Sequence, residues 1–84
     1  MLWRVNNRPE IDPALGTMPG QFQDIDGIDL MYFCRYNMPN QDGADELYLR
    51  LLAQQVGDVH RHRVKWKAPS GLSIRIDLAI ERIS

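Results

Sequence analysis

Two segments near the end of the chain alternate strictly between two sets of side chains, and this pattern constrains the fold more than any other. Every second residue is basic across residues 60–67, and every second residue is aliphatic across residues 72–80. Because successive side chains of a strand point to opposite faces, the pattern predicts two strands with one buried face. Between them, residues 69–71 (Pro-Ser-Gly) have the composition of a short hairpin loop.

The two apolar stripes also predict the register of this hairpin, since a shift by one residue would turn one stripe to the opposite face. On the other face, the same register sets Arg63 against Asp77 and, unfavourably, Lys65 against Arg75. The predicted pairs on the apolar face are Ala68 with Leu72, Trp66 with Ile74, Val64 with Ile76, and His62 with Leu78.

A helix is predicted in the middle of the chain from apolar residues at helical spacing. Asp42 is a candidate N-cap, and Gly57 is a candidate stop signal. The face is formed by Ala44, Leu47, Tyr48, Leu51, Leu52, Gln55 and Val56, which follow the i, i+3, i+4, i+7 pattern.

Upstream, Asp26-Gly27 between two isoleucines is typical of a two-residue hairpin turn. It predicts a strand over residues 28–36 with apolar residues on both faces, as in a central strand. The register has one unfavourable consequence, because it sets Asp24 against Asp29. Residues 2–5 are a further short strand candidate, and residues 6–20, with three prolines, are expected to form an irregular loop.

These patterns predict one α+β domain over residues 1–84. Its small antiparallel sheet has four to five strands in the order β-ββ-α-ββ, with one amphipathic helix packed on one face. Eighty-four residues with 44% hydrophobic and 25% charged composition suit a single globular domain. So short a chain has few residues left for an enclosed cleft once its core is filled, which favours binding over catalysis.

The location is predicted to be cytoplasmic, with no contact with a membrane. The longest apolar run, residues 30–34, is far shorter than the roughly 20 residues of a membrane-spanning helix. The first residues lack the apolar run of a secretory signal. The single cysteine, Cys34, cannot form an internal disulfide, so an oxidising compartment is not indicated.

No motif predicts a catalytic site, a metal site or a cofactor. His60 and His62 project to the same side of a strand, but the sequence offers no obvious third ligand, so rim histidines are the preferred interpretation. The acidic stretch at residues 24–29 does not place oxygen donors where a calcium loop requires them. Cys34 lines up with apolar residues and is interpreted as a small buried residue. Phosphate-binding and dinucleotide-binding glycine motifs are absent.

The main candidate for function is a basic sheet face. Charge is divided along the chain: residues 1–48 hold eight acids and three bases, whereas residues 49–84 hold seven bases and three acids. Such a dipolar chain can steer a charged partner towards one side. The residues predicted to bind a partner are Arg61, Arg63, Lys65, Lys67 and Arg75, together with Arg35, Phe33 and Met31 from the predicted central strand.

The expected function is non-enzymatic binding of a protein partner through this basic face, as an accessory factor, regulator or inhibitor. Phe33, Met31, Tyr36 and Trp3 are the candidate energetic anchors. Small proteins encoded by phages and other mobile elements often act this way, although no motif here points to that origin. Three alternatives remain open: nucleic-acid binding by the same face, a small metal-dependent protein using His60 and His62, and a face that is merely solvated. Homodimerisation through this face or an edge strand is a further hypothesis.

Overall fold

The computed structural model describes residues 1–10, 21–67 and 69–84. Four strands form one antiparallel sheet in the spatial order β2-β1-β4-β3, and the α+β class with its four-stranded antiparallel sheet is confirmed. In chain order the elements are β1 Leu2–Glu10, β2 Gln21–Asp26, α1 Gly27–Asn37, α2 Gln41–Leu52, β3 Val59–Lys67 and β4 Ser73–Arg82.

The C-terminal hairpin has the predicted register. Trp66 lies opposite Ile74, and Val64 lies opposite Ile76, so the apolar stripes of β3 and β4 share one face. Gly71 has a φ of 88°, the left-handed conformation that glycine adopts without steric cost. The predicted pair of Ala68 with Leu72 lies outside the described residues.

Strand β1 is longer and more central than the sequence suggested. It runs to Glu10 and pairs with both β2 and β4, so residues 6–10 are strand and not loop; residues 11–20 lie outside the described part of the chain. Pro9 lies opposite Ile76 of β4, and the described pairing of β1 with β2 runs from Leu2 to Asn7.

The prediction of a second strand at residues 28–36 is wrong, because this segment is helix α1. Asp26 does not form a hairpin turn but caps the helix: its carboxylate Oδ1 accepts from the amides of Ile28 and Asp29, each at 2.9 Å. Leu30, Cys34 and Asn37 are buried at helical spacing. A short apolar run is compatible with either a strand or a helix. Here the segment is helical, and Asp26 is its N-cap.

Helix α2 is confirmed, with different ends. Asn40, not Asp42, is the N-cap, and its side-chain oxygen accepts from the Gly43 amide at 2.7 Å. The helix ends at Leu52, so Gln55 and Val56 lie outside it. Beyond the helix end, the Arg82 guanidinium donates to the Gln54 carbonyl at 2.6 Å and ties the connection to β4.

The core lies between the two helices and one face of the sheet. All buried strand residues share that face, while the alternate residues of each strand remain exposed or half-buried. Neither described helix is long and apolar enough to cross a membrane. The buried apolar residues are Trp3, Val5, Ile25, Leu30, Cys34, Ala44, Leu47, Leu51, Val64, Ile76, Leu78 and Ile80.

Candidate functional site

The sheet face opposite the helices, called the open face below, carries the predicted basic residues. Arg61, Arg63, Lys65 and Lys67 alternate along β3 and are exposed, and Arg75 of β4 is half-buried among them. The structure therefore brings these five predicted residues together on one surface. Their common face follows from the alternation of side chains along β3 and β4.

The three other predicted residues do not belong to this face. Met31, Phe33 and Arg35 lie on α1, on the other side of the sheet, because residues 28–36 are helical. Phe33 packs against the core, and the Arg35 guanidinium lies 3.9 Å from the Asp45 carboxylate of α2. Trp3 is completely buried, so it cannot be the energetic anchor that its residue type suggested.

Strands β1 and β2 contribute residues that sequence reasoning missed. Arg4, Asn6 and Arg8 alternate with the buried residues of β1 and so lie on the open face. Phe22 of β2 lies opposite Asn6 and is 73% exposed. The alternation from residue 3 to residue 8 is the sequence signal for these arginines, but the prolines of residues 6–20 predict a loop there.

A depression of about 390 Å³ occupies the middle of the open face. Asn6 and Ala79 are short side chains that lie between longer ones, since Asn6 is opposite Phe22 on one side and Ala79 is opposite Arg61 on the other. The missing side-chain volume at these two positions creates the concavity. It is lined by Asn6, Arg8, Phe22, Arg61, His62, Arg63, Asp77, Leu78 and Ala79.

Charges of both signs are interspersed on this surface. Asp77 stands between Arg8 and Arg63 in the strand register, and its carboxylate accepts from Arg63 Nε at 2.7 Å. Arg4 Nε lies 3.1 Å from the Asp24 carboxylate. The open face is therefore basic overall but has an acidic group near its centre. Each of these exposed ion pairs contributes at most about 1 kcal/mol to stability.

At the hairpin end of the open face, Arg75 lies between Lys65 of β3 and Glu10 of β1 in the strand register. Lys65 lies directly opposite Arg75, as predicted, and like charges in that position repel each other. Lys67, the last residue of β3, lies opposite the uncharged Ser73.

A second groove of about 460 Å³ lies on the helix side, where α1 crosses β1 and β2. Tyr32 and Tyr36 of α1 line it and are largely exposed. Its floor includes Ile25 and the buried Asn37. Among the described residues, the groove has a single acid, Asp29, on its wall.

His60 and His62 lie on the helix-covered face of edge strand β3, with ring centroids 5.9 Å apart. The pKa of His60 is lowered by burial, by the neighbouring His62 and by the charge of Arg50. Within residues 1–10, 21–67 and 69–84, no three His, Cys, Asp or Glu side chains are grouped as metal ligands. Cys34 is fully buried in the core, as predicted, and burial raises the pKa of its thiol to about 11.

The open face thus combines a shallow depression, several cations and one exposed aromatic ring. This arrangement can bind and orient an anionic or mixed-charge surface, because arginine guanidinium groups form directed hydrogen bonds with carboxylates and phosphates. Comparison of the chain with models of protein families, with curated proteins and with solved structures finds no match.

Proposed function

We propose that this chain is a non-enzymatic protein that binds an acidic surface of a protein partner through its open face. The observation that carries the proposal is the depression in which Arg8, Arg61 and the exposed ring of Phe22 surround the short side chain of Ala79. A partner side chain can enter this space and meet guanidinium donors. The protein would act as an accessory factor, regulator or inhibitor of that partner.

The distribution of acids favours a protein partner over nucleic acid. Asp77 lines the depression, and Asp24 and Glu81 lie at the end of the open face away from the hairpin loop. A phosphate backbone repeats its negative charge at short intervals and would meet these carboxylates. A protein surface can instead place a base opposite Asp77 and acids opposite Arg61 and Lys65.

The energetic roles follow from side-chain type. Phe22 is the anchor, because binding energy at interfaces concentrates in aromatic and arginine side chains that become desolvated. The surrounding cations set the orientation and the association rate more than the affinity.

Cys34 is a free buried thiol, which suits the reducing cytoplasm in which we place this function.

The test uses purified chain immobilised as wild type, Phe22→Ala, Arg61→Glu and the control Arg35→Glu. Each is incubated with nuclease-treated lysate of the native cell, and retained proteins are identified by mass spectrometry. A protein that wild type and Arg35→Glu retain and the two open-face variants lose is then purified, and its affinity is measured directly. The expected loss for Phe22→Ala is about 2 kcal/mol, or roughly thirtyfold in Kd.

Equal retention of every protein by wild type and by both open-face variants would contradict the proposal. The control matters because Arg35→Glu changes net charge as much as Arg61→Glu does, but on the helix side of the sheet. If partner binding depended on general electrostatic attraction, Arg35→Glu and Arg61→Glu would weaken it alike. If it depends on the open face, only Arg61→Glu weakens it.

A second candidate is binding of single-stranded nucleic acid. The exposed Phe22 ring lines the same depression as Arg8 and Arg61, which favours this candidate, since a base can stack on the ring while the arginines contact phosphates. Fluorescence anisotropy with a labelled oligonucleotide would show affinity falling by orders of magnitude between about 50 and 200 mM salt if several phosphates are contacted. No binding at the lower salt concentration removes this candidate.

A further inference from the structure

The two terminal strands of the sheet have opposite charge on the open face. Strand β2 carries Asp24 next to Phe22 at one edge, and β3 carries a base at every second position from Arg61 at the other edge. Among the described residues, neither strand has a hydrogen-bonded neighbour on its outer side. Unpaired edges of this kind pair readily with another strand when nothing opposes it.

Hydrogen bonds at the end of β4 show which amides of β3 point outwards. The Arg82 amide donates to the Asp58 carbonyl at 3.4 Å, and the Arg82 carbonyl accepts from Gly57 at 2.7 Å. In an antiparallel pair the amides that bond across alternate with those that point away. The His60 and His62 amides therefore face β4, and the amides of Arg61 and Lys65 face the open edge.

The same reasoning applies to β2. The Ile83 amide donates to the Leu2 carbonyl at 2.9 Å, so the even-numbered residues of β1 bond towards β4 and the odd-numbered ones towards β2. Their β2 partners, such as Gln23 opposite Val5, face β1. The amides of Phe22 and Asp24 consequently face the outer edge. At both edges the outward-facing amides belong to residues whose side chains lie on the open face.

We propose that β2 of one copy of this chain adds to β3 of a second copy, so that the two sheets continue as one. All neighbouring strands are antiparallel in the order β2-β1-β4-β3, so copies repeated in the same orientation place β2 antiparallel to β3. The outward amides then pair directly, and Asp24 lies opposite a base in each in-phase register from Arg61 to Lys67. Opposite charges in directly opposed positions stabilise a strand pair.

Charge also selects the unlike edges over the like ones. Two β3 edges would set bases against bases, and two β2 edges would set Asp24 near its own copy. A second copy therefore pairs more favourably with the β3 edge through its own β2 than through its own β3. Phe22 of the incoming strand would lie beside basic side chains of β3, where a ring face can contact a cation.

The helices do not obstruct this arrangement. The two helices pack side by side on one face, and each is about 10 Å across. Together they span roughly the width of the four strands, which lie about 4.8 Å apart. A copy added edge to edge brings its helices alongside the first pair. Because the two contacting surfaces differ, association continues into a chain or closes into a ring.

The experiment measures the mass of the purified chain by sedimentation velocity from low micromolar to millimolar concentration. Wild type should grow in mass with concentration. Arg61→Glu/Lys65→Glu and, separately, Asp24→Lys should each weaken the association constant by about tenfold or more. The controls Arg35→Glu and Asp42→Lys reverse charge on the helices and should associate like wild type.

Mixing supplies the decisive comparison. An equimolar mixture of Arg61→Glu/Lys65→Glu with Asp24→Lys restores opposite charges at both kinds of contact, so the mixture should associate more strongly than either variant alone. Wild type that stays monomeric throughout, association that persists in both variants, or a mixture no stronger than its components would overturn the proposal. Circular dichroism melts confirm that each variant is folded.

Amide hydrogen exchange separates edge pairing from stacking of open faces. In the proposed assembly, the amides of Arg61, Lys65 and Asp24 exchange more slowly as concentration rises, because they become bonded across the new strand pair. The amides of His60 and His62 are already bonded to β4 and should change much less. Association without slower exchange at Arg61 and Lys65 would also overturn the proposal.

Discussion

The side-chain amide of Asn7 in β1 donates to the side-chain carbonyl of Asn37 at the end of α1, at 3.2 Å. Asn37 is only 1% exposed, and its own amide donates to the Phe33 carbonyl at 2.8 Å. One buried side chain thus satisfies a carbonyl near the helix end and joins that end to the sheet. Buried polar groups with both partners present fix one arrangement of the elements around them.

Replacing Asn37 by Ala should lower the free energy of unfolding by about 1–3 kcal/mol, because the Asn7 side chain loses its acceptor and the Phe33 carbonyl loses its side-chain donor. Asn7→Ala should cost less, since Asn7 is half-buried. Urea denaturation followed by circular dichroism measures both. The exposed substitution Gln41→Ala is the control and should stay within about 0.5 kcal/mol of wild type. An Asn37→Ala cost no larger than this control would mean that the link does not stabilise the fold.

The N-cap of α1 gives a second prediction. Asp26→Ala removes the oxygen that accepts from Ile28 and Asp29, and should cost about 1 kcal/mol of unfolding free energy. Asp26→Asn keeps an acceptor at the same position and should recover most of that loss. Thermal denaturation of the three proteins supplies the comparison. If Ala and Asn are equally destabilising, hydrogen bonding at this cap is not the source of stability.

Cys34 should be inert towards thiol reagents in the folded protein. It is fully buried, and burial raises its pKa to about 11, so little reactive thiolate exists near neutral pH. A chromogenic disulfide reagent at pH about 8 should react slowly with native protein and rapidly after denaturation in urea. Immediate stoichiometric labelling of the native chain would show that α1 leaves the sheet easily.

The lowered pKa of His60 predicts that the fold loses stability in mild acid. The folded protein binds a proton at His60 less readily than the unfolded chain, whose histidine titrates near its ordinary value of 6.5. The stabilising difference is therefore complete above that value and is lost as pH falls from 6.5 towards the folded pKa. The Tm should fall between pH about 7.5 and about 5.5, and His60→Gln should reduce that fall.

Nuclear magnetic resonance titration checks the cause. Replacing Arg50 by Gln removes a nearby positive charge and should raise the pKa of His60. Arg50 also pairs with Glu46 one turn away, so Glu46→Gln serves as a control for loss of that exposed pair. A His60 that titrates at or above 6.5 in wild type would contradict the assigned burial and charge effects.

The hairpin could be predicted from sequence because its signals are local. Alternation over β3 and β4 specifies which residues share a face, and the loop between them limits the register. Lys65 opposite Arg75 and Arg63 opposite Asp77 follow from that reasoning and are present in the structure. The basic half of the open face therefore follows from local sequence pattern alone.

The sequence by itself determined the paired C-terminal strands, the apolar stripe of α2 and the burial of Cys34. Only the tertiary structure decided that β1 lies between β2 and β4, and that Arg8 and Phe22 complete the depression. The physical reason is distance along the chain. Local patterns specify period and turns, whereas Asn6 meets Ala79 and Phe22 only after strands far apart in sequence have paired.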